Sequence, residues 1–202
     1  MDFVAAATAF ALVLPVELPD KTFVATLVLS TRYRALLVWT GVAAAFLVQV
    51  GIAVTAGGLL SLLPRTPVLV AAAALFLTGA VVLWRGAAGA EAAEVEEERA
   101  FAERGPARAE GLRAAGASFL VLFLAEWGDL SQLLTAGLAA RTGDPVGVFV
   151  GAWLALATVA AAAVLLGRAL LRRVRLATIR RLSAGICLAL ALVTALDAAE
   201  LL

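Results

Sequence analysis

The sequence predicts an all-α membrane protein in which six transmembrane helices form two inverted three-helix repeats. Three observations support this prediction. Hydrophobic residues make up 63% of the 202 residues and mean hydropathy is +1.02, whereas a soluble domain is about 45 to 50% apolar. Apolar segments long enough to cross a bilayer alternate with short charged stretches. A polar pattern also occurs twice, once in each half of the chain.

The apolar segments are predicted to be helices and not strands of an outer-membrane barrel. They are longer than the roughly 10-residue strands of such barrels, and they lack the two-residue alternation of polarity that barrel strands show. A spanning helix needs about 20 apolar residues. The six segments lie at about residues 3–30, 35–62, 67–84, 116–140, 146–170 and 183–202.

The segments divide into two halves joined by a charged linker. Residues 1–85 are expected to form the first repeat, residues 86–113 a solvated linker, and residues 114–202 the second repeat. Because each half has an odd number of spans, the second half enters the membrane from the opposite side, which makes the repeat inverted. Secondary transporters with this architecture bind their substrate near the membrane midplane, where the halves meet.

Basic residues are distributed unequally between the two sides of the predicted bundle. The loops after the first, third and fifth spans share one side, which holds 13 arginines, whereas the other side holds only Arg65 and Arg141. The positive-inside rule places the arginine-rich side in the cytoplasm. The central linker is therefore expected in the cytoplasm and both termini outside.

A ten-residue polar pattern in the first segment recurs 109 positions later, in the fourth segment. Each copy holds two carboxylates and two hydroxyls: Glu17, Asp20, Thr22 and Thr26 in the first, and Glu126, Asp129, Ser131 and Thr135 in the second. Carboxylates inside a span cost roughly 2.5 to 3.5 kcal/mol each on insertion scales, so a doubled pair indicates a function. Further along each half, Gly41 matches Gly151 with an offset of 110.

Each copy contains a residue that interrupts helices. The residue between the carboxylates is Pro19 in the first copy and Gly128 in the second, and Pro15 is expected to add another break nearby. On an unbroken helix Thr22 would point away from Glu17. An interrupted helix would free backbone carbonyls and let hydroxyls and carboxylates converge. The alternative, left equally open, is that the hydroxyls bond the carbonyl four residues earlier.

The acids indicate cation binding by oxygen ligands. Four acids against Lys21, the only basic residue clearly inside the spans, leave a formal charge of −3 that a divalent cation or protons would relieve. The chain has no histidine and a single cysteine, Cys187, which argues against zinc, copper or nickel. The oxygens suit manganese, calcium or magnesium without choosing among them. The candidate metal ligands are Glu17, Asp20, Thr22, Glu126, Asp129 and Ser131.

Two glutamines in the predicted spans have no polar counterpart in the other half. Gln49 matches Val159, and we expect it to make an interhelical hydrogen bond. Gln132 follows Ser131 and matches Phe23, so any contribution of Gln132 to cation binding would be asymmetric.

The two copies resemble the signature of a known family. Residues 17–22 (ELPDKT) and 126–131 (EWGDLS) are similar to the duplicated E-x-G-D-[KR]-[ST] motif of the Gdt-one family, also called uncharacterised protein family 0016. The resemblance covers essentially the whole chain. It implies a transporter of the cytoplasmic membrane that exports a divalent cation in exchange for protons at a midplane carboxylate site. Mn²⁺ is the favoured cation and Ca²⁺ is the alternative. Two residues depart from the motif: Pro19 still suits a broken helix, whereas Leu130 removes one positive charge and leaves the site more acidic than the family pattern.

Other function classes give different expectations. The main alternative is a proton-coupled exporter of a small organic or amino-acid solute, and a third is a non-transporting membrane scaffold. An enzyme is not expected, because the sequence has no histidine, no nucleophile paired with a base and no phosphate-binding loop. The expected partners are the transported cation, protons and the lipid bilayer, with no permanently bound cofactor and no nucleic acid; a homo-oligomer is compatible with these expectations.

Overall fold

The computed structural model describes residues 2–18, 21–60, 62–89, 95–96, 99–100, 111–173 and 176–199. Within these residues the fold is helical and contains no β-strand. The α-helices span Phe3–Glu17 (α1), Lys21–Arg32 (α2), Ala35–Leu60 (α3), Arg65–Gly86 (α4), Leu112–Ala125 (α5), Leu130–Thr142 (α6), Pro145–Arg173 (α7) and Leu176–Ala198 (α8). A short 3₁₀ turn at Ala87–Gly89 follows α4. Most of the expected linker lies outside the described residues, so its boundaries stay a prediction.

Four of these helices are long and apolar enough to cross a membrane alone, namely α3, α4, α7 and α8. The other four form two bent pairs. The axes of α1 and α2 differ by 72°, and those of α5 and α6 by 75°. The described residues therefore provide four spans, or six if each bent pair crosses the membrane as one span. The prediction of an all-helical membrane protein is confirmed, and the count of six stays a prediction.

The helix breaks expected beside Pro19 and Gly128 are confirmed. α1 ends at Glu17 and α2 begins at Lys21, while α5 ends three residues before Gly128 and α6 begins two residues after it. Pro19 itself lies outside the described residues. The first helix of each half thus ends at, or one residue before, the repeated glutamate.

The prediction of an additional helix break at Pro15 is wrong. α1 continues through Pro15 to Glu17, and the backbone N–H of Leu18 still donates to the carbonyl of Leu14 at 3.1 Å. A proline removes one hydrogen bond from its own N–H. Because Pro15 lies in the last turn of α1, the helix loses that bond shortly before it ends and keeps its remaining bonds.

Each half packs mainly against the other half. α1 lies along α7, α5 lies along α3, and α4 lies along α8, while α3 and α7 also pack against each other. One continuous apolar core contains buried residues from both halves. The halves are therefore interlocked, and neither bent pair has its main contacts within its own half.

The matching glycines allow the closest of these contacts. A Cβ atom at Gly41 would overlap the carbonyl oxygen of Ala115 on α5, and a Cβ atom at Gly151 would overlap the carbonyl oxygen of Ala6 on α1. Ala6 and Ala115 are 109 positions apart, the same offset as the polar pattern. The two halves thus use equivalent residues to hold the other half's bent pair.

Two tryptophans join α3 to α7. Trp39 Nε1 donates to the carbonyl of Ala157, and Trp153 Nε1 donates to the carbonyl of Ala43, both at 3.0 Å. A step of four residues forward on α3 corresponds to a step of four residues backward on α7, so the two helices run antiparallel here. Trp153 lies 110 residues after Ala43, the offset that also relates Gly151 to Gly41.

Candidate functional site

The repeated glutamates lie at the two helix breaks. Glu17 is the last residue of α1, and Glu126 directly follows α5. Their side chains are 0% and 2% exposed, respectively. Burying a carboxylate is costly unless a charge or hydrogen bonds compensate it. The structure thus places both glutamates at equivalent, buried positions, which is what the repeated pattern predicts.

The break after α5 is shaped by backbone geometry that glycine permits. Gly128 has φ of +76°, in the left-handed region that favours glycine. Asp129 then returns to an extended conformation as the N-cap residue of α6. Its carbonyl accepts hydrogen bonds from the backbone N–H groups of Gln132 and Leu133 at 3.1 and 3.2 Å. The Asp129 side chain is half-buried at this turn.

The side-chain amide of Gln132 bridges this break. Its Nε2 donates to the carbonyl of Glu126 at 2.7 Å, and its Oε1 accepts from the backbone N–H of Gly128 at 3.2 Å. Both ends of the amide are therefore engaged by the backbone. In this structure Gln132 holds the shape of the break, whereas the sequence alone also allowed it to face the cation.

The first break is built differently. The matching position of Gln132 is Phe23, which is buried against Val159 of α7 and cannot bridge polar groups. Of the candidate ligands, Asp20 lies outside the described residues. Thr22 is fully buried in the first turn of α2, and its hydroxyl has no hydrogen-bond partner within the part of the chain that the structure describes.

The hydroxyls of the second copy follow a different pattern. Ser131 and Thr135 are buried, and Thr135 Oγ1 donates to the carbonyl of Ser131 at 2.7 Å. This is the local bond that helix hydroxyls commonly make. The sequence left open whether these hydroxyls converge with the carboxylates or bond the backbone of their own helix. Thr135 bonds its own helix, whereas Thr22 makes no such bond among the described residues.

A hydroxyl from α8 reaches the end of α1. Ser183 Oγ donates to the backbone carbonyl of Pro15. In a continuous helix this carbonyl would accept from residue 19, but Pro19 has no N–H to donate. A helix of the second half thereby supplies the hydrogen bond that the sequence of the first half removes.

A second interhelical bond lies close to Glu126. Gln49 Nε2 on α3 donates to the carbonyl of Phe123 on α5 at 3.0 Å, and the Gln49 side chain is buried. The interhelical hydrogen bond expected for Gln49 is confirmed. It fixes the last turn of α5, three residues before the glutamate.

The described acids do not form one metal-binding cluster. Among the residues that the structure describes, which exclude Asp20, no group of three or more acidic or cysteine side chains could hold a metal ion. Glu17, Glu126 and Asp129 are thus not gathered into such a group here. A joint site that includes all four acids of the pattern stays a prediction.

A cavity of about 270 Å³ lies away from both buried glutamates, between α4, α6 and α8. Its lining is largely apolar and includes Arg141 and Thr194. Arg141 Nη1 donates to Thr194 Oγ1 at 3.2 Å, and Arg141 Nε lies 3.7 Å from Asp197 Oδ2. These contacts tie the end of the second bent pair to α8.

Comparison with known proteins extends the likeness beyond the motifs. The profile of the family described as divalent cation/proton antiporter GDT1 matches residues 5–91 and 114–201. A GDT1-like protein, sll0615 of Synechocystis sp., is 33% identical over 160 residues, which cover 75% of this chain and 77% of that protein. No solved structure matches the chain.

Each matched stretch contains one copy of the polar pattern and one helix break. The resemblance first seen in two six-residue motifs therefore extends through both halves. The family contains antiporters, which excludes an enzyme at the level of the family. The chain is a multi-pass membrane protein that belongs to the GDT1 family of divalent cation/proton antiporters, named Gdt-one above.

Proposed function

We propose that the protein exports a divalent cation across the cytoplasmic membrane in exchange for protons. Mn²⁺ is the favoured cation and Ca²⁺ is the alternative. The observation that carries this proposal is the burial of Glu17 and Glu126 at the breaks of two equivalent helices. Broken helices near the midplane are where transporters of this architecture place their ion sites. The burial of the pair at these breaks therefore supports an exchange site there.

The proposed ligands supply only oxygen. Carboxylates and hydroxyls suit hard or borderline divalent cations such as Mn²⁺ and Ca²⁺. The absence of histidine and the single cysteine remove the nitrogen and thiolate ligands that copper and zinc favour. The proposed set is Glu17, Asp20, Thr22, Glu126, Asp129 and Ser131, and no permanently bound cofactor is part of it.

Competition between the cation and protons for the same carboxylates would couple the cation flux to the proton flux. A glutamate buried in a spanning bundle is stabilised when a proton or a cation neutralises its charge. When the cation leaves, proton binding restores that neutrality, and the reverse happens when a new cation arrives. Cation movement in one direction thus drives proton movement in the other.

The packing supports a specific form of alternating access. The antiparallel contact of α3 and α7 is what two inverted repeats require, and the arginine distribution favours a cytoplasmic linker with both termini outside. Because the halves are interlocked, rocking them as two separate bodies would break their main contacts. In the proposed cycle, each bent pair moves against the long helix of the other half, opening one side of the site at a time.

Flux into reconstituted vesicles tests this proposal. Purified protein is inserted into liposomes, and Mn²⁺, Ca²⁺ and Mg²⁺ fluxes are compared with and without a proton gradient. We expect Mn²⁺ flux that increases with the gradient and is lost in Glu17→Gln and Glu126→Gln. Glu96→Gln is the matched control, because Glu96 is exposed and outside the helix breaks. Retained flux in both buried-site variants would refute the proposal.

The same vesicles separate the alternatives. An exporter of organic solutes would move amino acids or small organic ions and show no gradient-dependent cation flux. A scaffold would move neither class of substrate. Either result would remove the cation proposal while leaving the family membership intact.

A further inference from the structure

Hydroxyl side chains in the helices of this protein commonly donate to a backbone carbonyl three or four residues earlier. This local bond spares a buried hydroxyl the cost of losing water. It is made by Ser30, Thr31, Thr40, Thr55, Thr78, Ser118, Thr135, Thr142 and Thr158.

Thr26 on α2 departs from this pattern. Its side chain is fully buried, and its hydroxyl has no hydrogen-bond partner among the described residues. The carbonyl of Thr22 lies four residues earlier in the same helix, and at the matching position of the second copy Thr135 makes this bond. An available local bond is therefore left unmade at a place where an unsatisfied hydroxyl is unfavourable.

Thr26 extends a row of hydroxyls that starts in the motif. Residues four apart share one face of a helix, with Cβ atoms about 5 to 6 Å apart. Thr22 and Thr26 are both fully buried and both lack a partner in the described part of the chain. Thr22 in turn lies in the first turn of α2, just after the break that follows Glu17. The row leads from the motif into α2.

We propose that Thr26 Oγ1 is a further oxygen ligand of the transported cation, one helical turn beyond the motif. This inference rests on the proposed function. A hydroxyl bonded to its own backbone is held in one orientation against its helix, whereas the Thr26 hydroxyl can turn its lone pairs toward a cation. In the second copy the equivalent hydroxyl is already bonded and Gln132 bridges the break. The first copy therefore offers one hydroxyl ligand that the second copy does not.

Mn²⁺ binding to purified full-length protein, measured by electron paramagnetic resonance, tests this ligand directly. We expect Thr26→Val to raise the Mn²⁺ dissociation constant about tenfold, because contacts of a hydroxyl with a charged partner are among the stronger polar interactions. Thr26→Ser should restore affinity. The melting temperature of Thr26→Val should equal or exceed that of the wild type, since valine removes an unsatisfied hydroxyl while keeping the shape.

Thr135→Val is the matched comparison, because Thr135 has the same place in the second copy and is outside the proposed ligand set. We expect it to change Mn²⁺ affinity by less than about twofold, since its hydroxyl already bonds Ser131. Unchanged affinity in Thr26→Val would overturn the inference. Equal losses in Thr26→Val and Thr135→Val, or a loss accompanied by a lower melting temperature and not rescued by serine, would also overturn it.

Flux measurements on the same variants separate this inference from the proposed function. If the wild type binds Mn²⁺ but moves none, and Thr26→Val weakens binding, the export proposal fails and the ligand assignment stands. If the wild type transports Mn²⁺ and Thr26→Val binds and transports it equally well, the ligand assignment fails alone. A wild type that does not bind Mn²⁺ and moves neither Mn²⁺ nor Ca²⁺ refutes both.

Discussion

Ser183 on α8 donates its hydroxyl hydrogen bond to the carbonyl of Pro15 on α1, two residues before the buried Glu17. The acceptor is left without its usual helical donor because residue 19 is a proline. A single hydroxyl from the second half therefore determines how well the broken helix of the first half is hydrogen-bonded. This dependence makes Ser183 a test of the link between the break and stability.

Replacing Ser183 by alanine should destabilise the protein by about 1 to 3 kcal/mol, because a partly buried carbonyl loses its partner. The measurement is the midpoint of thermal unfolding in detergent. Thr158→Ala is the control, because the exposed Thr158 hydroxyl bonds the carbonyl of Leu154 within its own helix. The control should differ from the wild type by no more than about 0.5 kcal/mol. Equal effects of the two substitutions would contradict the prediction.

Gly128 should not tolerate the proline that occupies the matching position of the first copy. Proline fixes φ near −65° and has no N–H, whereas Gly128 has φ of +76° and donates to Gln132 Oε1. We expect Gly128→Pro to lose folding or cation flux, measured by yield of folded protein and by vesicle transport. Gly128→Ala should be milder, with a cost of about 1 to 2 kcal/mol for the left-handed conformation. A fully active proline variant would show that the bridge is dispensable.

Alanine at Gly41 or Gly151 should loosen the contacts between the halves. The added methyl group would meet the carbonyl of Ala115 or Ala6, and overpacking of this kind typically costs about 1 to 3 kcal/mol. Gly58→Ala is the control within α3, because a Cβ atom there meets nothing within 4 Å. That control should be neutral or stabilising by up to about 1 kcal/mol. The midpoints of thermal unfolding of the three variants test whether Gly41→Ala and Gly151→Ala are less stable than Gly58→Ala.

Low pH should weaken the contact between the residue that precedes α1, Asp2, and the residue that precedes α7, Asp144. The backbone N–H of Asp2, and after it that of Gly147, lower the pKa of Asp144 below its ordinary value of 3.8. A carboxylate with a lowered pKa stabilises the fold above its unfolded pKa, and this contribution is lost as the pH falls through the folded value. Protection of the first residues of α1 against hydrogen exchange, measured relative to the intrinsic rate at each pH, should therefore decrease below about pH 3.8. In Asp144→Asn the exchange should depend less on pH.

The fold could be predicted where one residue type dictates one outcome. Apolar length predicted helices, and Pro19 with Gly128 predicted where the first helix of each half is broken, because neither residue supports an ordinary helix. The effect of Pro15 was wrongly predicted from the same rule, since a proline in the last turn costs only one bond. The bend angles of 72° and 75° depend on packing against the opposite half, which local sequence does not determine.

The candidate site could be predicted only in part. The repeated spacing placed Glu17 and Glu126 at equivalent positions, and the structure shows both buried there. The different states of the hydroxyls could not be predicted, because Thr26 and Thr135 occupy the same place in the pattern. The sequence shows that Gln132 has a nonpolar counterpart, Phe23, which indicates a role specific to the second half. Its hydrogen bonds across the break could not be predicted, because they depend on the backbone geometry around Gly128.

The interlocked packing also sets an order for biogenesis. α7, the principal neighbour of α1, begins 128 residues after α1 ends, so the first half is made before its main contacts exist. Until then Glu17 lacks the packing that buries it in the folded protein, and a carboxylate inside a bilayer without such packing is unfavourable. A ribosome that stalls inside the second half therefore leaves a substrate for membrane quality control, and the first half expressed alone should be degraded unless the second half is supplied separately.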